Sequence, residues 1–163
     1  EEIGAYLAPQ DLILDGGPVQ VGLESTIIDC TGDAPRILRP GAITQAMIEE
    51  ATGLKVSANN DSQIRVSGSL EKHYAPNAKV ILDVQASAGQ GFIALSDIQT
   101  PDGVIRLATP TTHEEFARVL YSALRAADEK GLATVVVQQP QGDGIAIAIR
   151  DRLKRAAHLH TPG

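Results

Sequence analysis

The chain has 163 residues, 43% hydrophobic and 21% charged, which is enough apolar mass for one good core or two small ones. Three Tyr, two Phe and no Trp leave the core to aliphatic side chains, and the single Cys30 excludes an internal disulfide and a structural thiolate zinc site. Net charge is −6; residues 1–60 carry nine acids and three bases, which argues against nucleic acid as the main ligand.

The cysteine usage fits a reducing cytoplasm. No apolar run approaches the roughly 20 residues that span a bilayer, and no stretch reads as a signal peptide, so no membrane partner is expected. The opening Glu1-Glu2-Ile3-Gly4-Ala5-Tyr6-Leu7 resembles the tail of a helix, without initiator Met or cap. The chain is therefore expected to be a piece of something longer.

Residues 12–15 form a short apolar run stopped by Gly16-Gly17-Pro18, a strand followed by a turn. Residues 26–29 and 36–39 read as two further strands joined by a turn-rich link. Thr44 is a plausible N-cap for a helix over 45–52, with Gly53 as its stop. From Lys55 to Lys72 neither helix nor strand period holds, and so long an irregular stretch predicts an interdomain linker.

Beyond it the texture alternates. Residues 79–83, 92–95, 104–107 and 134–137 are short β-rich runs. The clearest helix lies between the last two. Thr112-His113-Glu114-Glu115 matches a capping box. Phe116, Val119, Leu120, Ala123, Leu124 and Ala127 then form one apolar stripe, ended by Gly131. A second helix is expected over 145–157. Strands alternating with helices predict a parallel sheet, a small Rossmann-like layer. Its phosphate fingerprint is missing: Gln141-Gly142-Asp143-Gly144 follows a strand and opens a helix, but by itself reads as a plain loop.

The polar residues of interest lie at strand ends. Ser25 is a hydroxyl at a strand start, able either to satisfy edge backbone groups or to donate to a substrate carboxylate or phosphate. Arg39, 14 positions later, ends an apolar strand just before Pro-Gly, where a planar guanidinium fork suits phosphate. Arg36 starts its strand and reads as a solvated turn residue. His73-Tyr74 either packs the second domain or stacks on a base and reaches phosphate. Ser25 lacks a nucleophile elbow, the His residues at 73, 113, 158 and 160 are scattered, and neither a covalent nucleophile nor a metal site is expected. Arg150, Arg152, Lys154 and Arg155 are expected to complement a helix dipole, with an RNA-contacting patch as the alternative.

Five ordered motifs carry a family resemblance: Leu12-Ile13-Leu14-Asp15-Gly16-Gly17; Glu24-Ser25-Thr26-Ile27-Ile28-Asp29; Ile37-Leu38-Arg39-Pro40-Gly41-Ala42-Ile43; Ser67-Gly68 with His73-Tyr74-Ala75-Pro76; and the run from Gly144 to Leu153. Together they resemble the threonylcarbamoyl-AMP synthase family in its long form. The resemblance implies an α/β chain made of the C-terminal part of a YrdC-like domain over 1–54, a linker over 55–78, and a Rossmann-like domain over 79–160. One departure lies in the linker, where Ser67-Gly68-Ser69-Leu70 replaces the family's Ser-Pro-Gly-Met or Ala-Pro-Gly-Met.

The resemblance further implies a nucleotidyltransferase that joins L-threonine, bicarbonate and ATP into threonylcarbamoyl-AMP and releases pyrophosphate. Mg²⁺ would enter with the nucleotide, and a downstream transferase would pass the threonylcarbamoyl group to tRNA. By matching positions, Ser25 is expected to contact threonine and Arg39 to contact ATP, both facing one cavity. Ser67, His73 and Tyr74 belong to the strip that folds over the ATP. The family's Lys-x-Arg pair, Ser-x-Asn motif and threonine-contacting His lie upstream of the part matched here. Ser57-Ala58-Asn59 copies the letters Ser-x-Asn only within the linker. The chain alone is therefore expected to be inactive. The alternatives are a non-catalytic module that docks a partner or regulates the synthase, and a binder of tRNA or double-stranded RNA.

Overall fold

The computed structural model describes residues 8, 11, 12, 17, 21–58 and 76–158, with Ala58 and His158 described by backbone alone. Residues 13–15 of the strand expected over 12–15 and most of the expected linker, including Ser67, His73 and Tyr74, lie outside the described residues.

Two sheets organise these residues. In the first, β1 (Ile27–Asp29) pairs antiparallel with β2 (Arg36–Arg39), and β2 pairs parallel with β3 (Ser57–Ala58). The turn between β1 and β2 is closed by Asp29, whose carboxylate accepts from the Thr31 amide at 3.0 Å, the Thr31 hydroxyl at 2.6 Å and Arg36 Nη2 at 2.7 Å. Those bonds from Thr31, then the Arg36 guanidinium, hold the Asp29 carboxyl down to about 2. Arg36 is thus paired rather than merely solvated.

Helix α1 (Gln45–Thr52) starts and stops where the sequence predicts. The Thr44 side chain accepts from the Met47 amide, and Gly53 takes the left-handed conformation at φ 70°. The expected irregular stretch begins later than Lys55, because Ser57 and Ala58 pair with Arg36 and Ile37. Two residues of ladder are too short to register as a strand pattern.

The second sheet holds the core. Strands β4 (Lys79–Leu82), β5 (Gly91–Ile93), β6 (Ile105–Ala108) and β7 (Thr134–Val137) lie in the order β4-β7-β5-β6, and all three pairings are parallel. The last strand in sequence sits inside the sheet. Thr-Val-Val-Val can occupy that place because a strand covered on both faces needs a continuous β-branched run rather than alternation.

Helix α2 (His113–Glu129) buries Phe116, Ala117, Leu120, Ala123, Leu124 and Ala127 against this sheet, the predicted stripe with Ala117 in the core and Val119 only half-buried. Full burial of side chains such as Phe116 and Leu120 contributes about 1.5–3 kcal/mol each. Its capping differs in detail. Thr112 accepts from the Glu115 amide, while Glu115 reaches back one residue further, to the amide and hydroxyl of Thr111 at 2.7 Å. Near its other end, Asp128 accepts from the amides of Asn77 and Ala78 and so fixes the entry to β4. Helix α3 (Ile145–His158) packs on the same sheet and on α2, with Ile149 and Leu153 fully buried. Among the described residues no helix is long and apolar enough to cross a membrane.

Candidate functional site

Ser25 lies just before β1, and its residue is exposed. Arg39 ends β2 beside it, and the antiparallel pairing of the two strands accounts for the meeting of residues 14 apart. The guanidinium donates to the Ser25 carbonyl through Nε at 3.0 Å and Nη2 at 2.8 Å, and to Ser25 Oγ at 3.1 Å. A hydroxyl that accepts from a cation still has its own proton to give. Ser25 is therefore left able to donate just ahead of β1.

The backbone around it is held as closely. A Cβ on Gly41 would lie 2.4 Å from the Glu24 carbonyl oxygen, 2.5 Å from the Thr26 nitrogen and 2.7 Å from the Ser25 carbonyl carbon. Only a residue without a side chain lets those two backbones touch. Thr26 Oγ1 donates to the Ile43 carbonyl at 2.6 Å, which ties the next residue to the same loop.

The expected common cavity takes a different form. Ser25 and Arg39 meet by direct hydrogen bonding, and Arg39 is only 9% exposed. A nearby cleft of about 650 Å³ is lined instead by their neighbours Ile37, Leu38, Pro40 and Gly41, by Thr44 and Glu49 of α1 and its cap, and by Asp143 just ahead of α3 with Ile147, Asp151 and Lys154 along it. Its Glu49 carboxylate is already engaged by the Val56 amide at 2.9 Å and by Gln45 Nε2. Those bonds hold the Glu49 carboxyl below its ordinary value.

Read from the chain alone, Glu24 and Tyr121 have no assigned role, and Arg152 counts only as one of a basic cluster. Tyr121 on α2 donates its hydroxyl to Glu24 Oε1 at 3.0 Å. Arg152 Nη1 on α3 lies 3.6 Å from the same oxygen, and its guanidinium sits 4.8 Å from the Tyr121 ring centre. Burial pushes the Tyr121 hydroxyl up to about 12, to which the Glu24 charge adds, and it stays a donor at every ordinary pH. Burial alone would raise the Glu24 carboxyl, yet its own amide, Arg152 and Tyr121 together keep it below its ordinary value.

The basic cluster is correspondingly rearranged. Arg152 is buried, Arg155 pairs with Asp151, and Arg150 donates to the Pro140 and Gly142 carbonyls at 2.8 Å. Of the four, Lys154 alone is exposed. Arg152 reaches across to Glu24, Arg155 pairs within α3, and Arg150 fastens the loop that precedes it, so three of the four charges are engaged within the protein. Among the described residues, no group of three or more His, Cys, Asp and Glu could hold a metal ion.

A four-stranded parallel layer with helices, joined through Glu24 to a small sheet that carries the Ser25–Arg39 pair, defines a mixed α/β protein with no metal cluster among the described residues. The family model described as "Threonylcarbamoyl-AMP synthase, C-terminal domain" matches residues 43–158, and the chain belongs to that family.

A threonylcarbamoyl-AMP synthase of Bacillus subtilis is 30% identical over 89% of this chain and 48% of its own length. One of Pyrococcus abyssi is 29% identical over 90% of this chain and 49% of its own. The crystal structure of P. abyssi Sua5 complexed with L-threonine superposes with a TM-score of 0.69 at 28% identity, covering 88% of this chain and 48% of that one. The chain thus spans about half the length of the curated relatives it matches.

Proposed function

We propose that the full-length protein carrying this chain is an L-threonylcarbamoyladenylate synthase of the nucleotidyltransferase class. It would join L-threonine, bicarbonate and ATP, release pyrophosphate, and supply threonylcarbamoyl-AMP to a transferase that modifies tRNA in the cytoplasm. The observation that carries this reading is the hydroxyl of the exposed Ser25, which accepts from Arg39 and keeps its own proton to give, in a chain matched over 88% of its length by a threonine-bound structure. Ser25 would donate to the carboxylate of L-threonine. Arg39, mostly buried on Ser25, would set that geometry and add positive potential for the phosphates of ATP. The proposed units are the YrdC-like part over 1–54, the linker over 55–78 and the Rossmann-like domain over 79–160.

Ser67, His73 and Tyr74 would lie against the nucleotide. A second P. abyssi Sua5 structure, 25% identical with a TM-score of 0.64, carries alanine at an adjacent His and Tyr; His73-Tyr74 is the single His-Tyr step of this chain.

The chemistry suits a site without a covalent nucleophile. The threonine nitrogen joins the bicarbonate carbon with loss of water. A carbamate oxygen then attacks the α-phosphorus of ATP, and the bond to the bridging oxygen breaks as pyrophosphate leaves. The carbamate is short-lived in water, so the protein's contribution is to hold it in line and exclude solvent. The described residues hold no carboxylate cluster for Mg²⁺, which would enter with the nucleotide as part of the substrate.

The test is ATP-to-AMP turnover measured with and without threonine and with and without bicarbonate. The full-length protein should require both. The 163-residue chain alone should show no turnover, and robust turnover by it would overturn the view that the site is shared with an upstream half.

A further inference from the structure

Residues 22–26 are held from two sides, and the two sides belong to different layers. Gly22 lies flat on α2: at φ 71°, a Cβ there would stand 2.7 Å from the Ala117 carbonyl oxygen and the Arg118 Cα. Leu23 packs on the core cluster of the second sheet. Glu24 is gripped by Tyr121 of α2 and Arg152 of α3. The next two residues then switch allegiance, Ser25 to Arg39 and Thr26 to Ile43. One peptide bond separates the last residue fixed by the second layer from the hydroxyl proposed to meet substrate.

A carboxylate with 23% of its side chain exposed needs no hydroxyl or guanidinium to survive, because water would serve. Burying Arg152 to 6% exposure costs solvation that its contacts with Glu24 and the Tyr121 ring help to offset, which fastens α3 to this segment. We infer that Tyr121 and Arg152 are positioning residues for Ser25: they act through the Glu24 carboxylate, so that the second layer sets where the threonine-contacting hydroxyl points. The inference rests on the proposed reading of Ser25, and its structural half stands apart from that reading. Neither residue touches substrate. The layer that lacks a phosphate fingerprint would then contribute to the reaction by geometry rather than by a ligand of its own.

Tyr121→Phe keeps the ring under Arg152 and removes only the hydroxyl, so it preserves the fold; Arg152→Met and Glu24→Gln provide independent cuts of the same link. In the full-length protein, two measurements are made on each variant. Amide hydrogen exchange without substrates should quicken at residues 24–28 and not in β7. In steady-state kinetics the KM for L-threonine should rise about three- to tenfold, the worth of one hydrogen bond, while the KM for ATP and kcat stay at the parent's values.

Unchanged exchange at 24–28 together with an unchanged threonine KM would overturn the inference. So would a rise in both KM values with quickened exchange throughout, which marks general destabilisation. If the parent protein shows no threonine-dependent activity, the functional reading falls by itself, and the exchange measurement alone decides whether the second layer fixes this segment.

Discussion

Adding one methyl group at Gly41 is the sharpest perturbation of the site. The alanine Cβ would stand 2.4 Å from the Glu24 carbonyl oxygen, and ordinary contact begins at 3.4 Å, so about 1 Å must be found. All three nearest atoms are backbone, and none can rotate away. Overpacking costs about 1–3 kcal/mol in general, and rigid neighbours place Gly41→Ala in the upper half of that range. With a slope of about 2 kcal/mol per molar urea, the unfolding midpoint should fall by about 1–1.5 M. The displaced segment is the one that aims Ser25, and a misplacement of 1 Å can cost about a hundredfold in a positioned reaction. Urea unfolding and threonine-dependent turnover of the full-length protein measure the two effects. Gly53→Ala is the comparison: at φ 70° with nothing within 4 Å, it pays only the left-handed strain of about 1 kcal/mol and should leave threonine affinity intact. If Gly41→Ala were no more costly than Gly53→Ala, or kept parental threonine affinity, the close approach would not be what holds Ser25.

Two further outcomes follow from contacts away from the hydroxyl. Asp128→Ala leaves the Asn77 and Ala78 amides without their acceptor and should lower stability by about 1–3 kcal/mol, read as a shifted urea midpoint; an unshifted midpoint would mean that the entry to β4 is fixed otherwise. For Asp29 the folded carboxyl lies at about 2 against an ordinary 3.8, so between those values the unfolded state binds more protons and stability rises with pH. The stability gap between the parent and Asp29→Asn should therefore be complete above pH 3.8 and close as the pH falls toward about 2; a gap that persists at the acid end would show that the carboxylate is not what locks the turn.

What the sequence made legible is what repeats along it. The α2 stripe recurs every three or four residues, and the four β-rich runs of the second sheet are each continuous, so both could be read from local pattern. Thr44, Thr112 and Gly53 act one turn away and were equally visible. The order β4-β7-β5-β6 was not, since nothing in Thr-Val-Val-Val says which neighbours it separates. β3 was missed because two residues have no period. At the site, Ser25 and Arg39 were picked out by their strand-end places, but their mutual hydrogen bond depends on a pairing register that the sequence does not print.

Arg152 marks the limit most clearly. Four bases near a helix end look alike in one dimension, and their difference comes from α3 facing Glu24, a residue 128 positions earlier in the chain. Because that contact joins the helix farthest along the chain to the residue before Ser25, the small first sheet cannot be treated as a free-standing half-site. Among the described residues, the buried positions of this sheet and α1 are Arg39, Gly41, Ile48 and Val56, whereas the packed clusters lie in the second layer. If Tyr121 and Arg152 position Ser25 as inferred, a substitution on α2 or α3 should alter threonine recognition by the full-length protein without approaching the substrate.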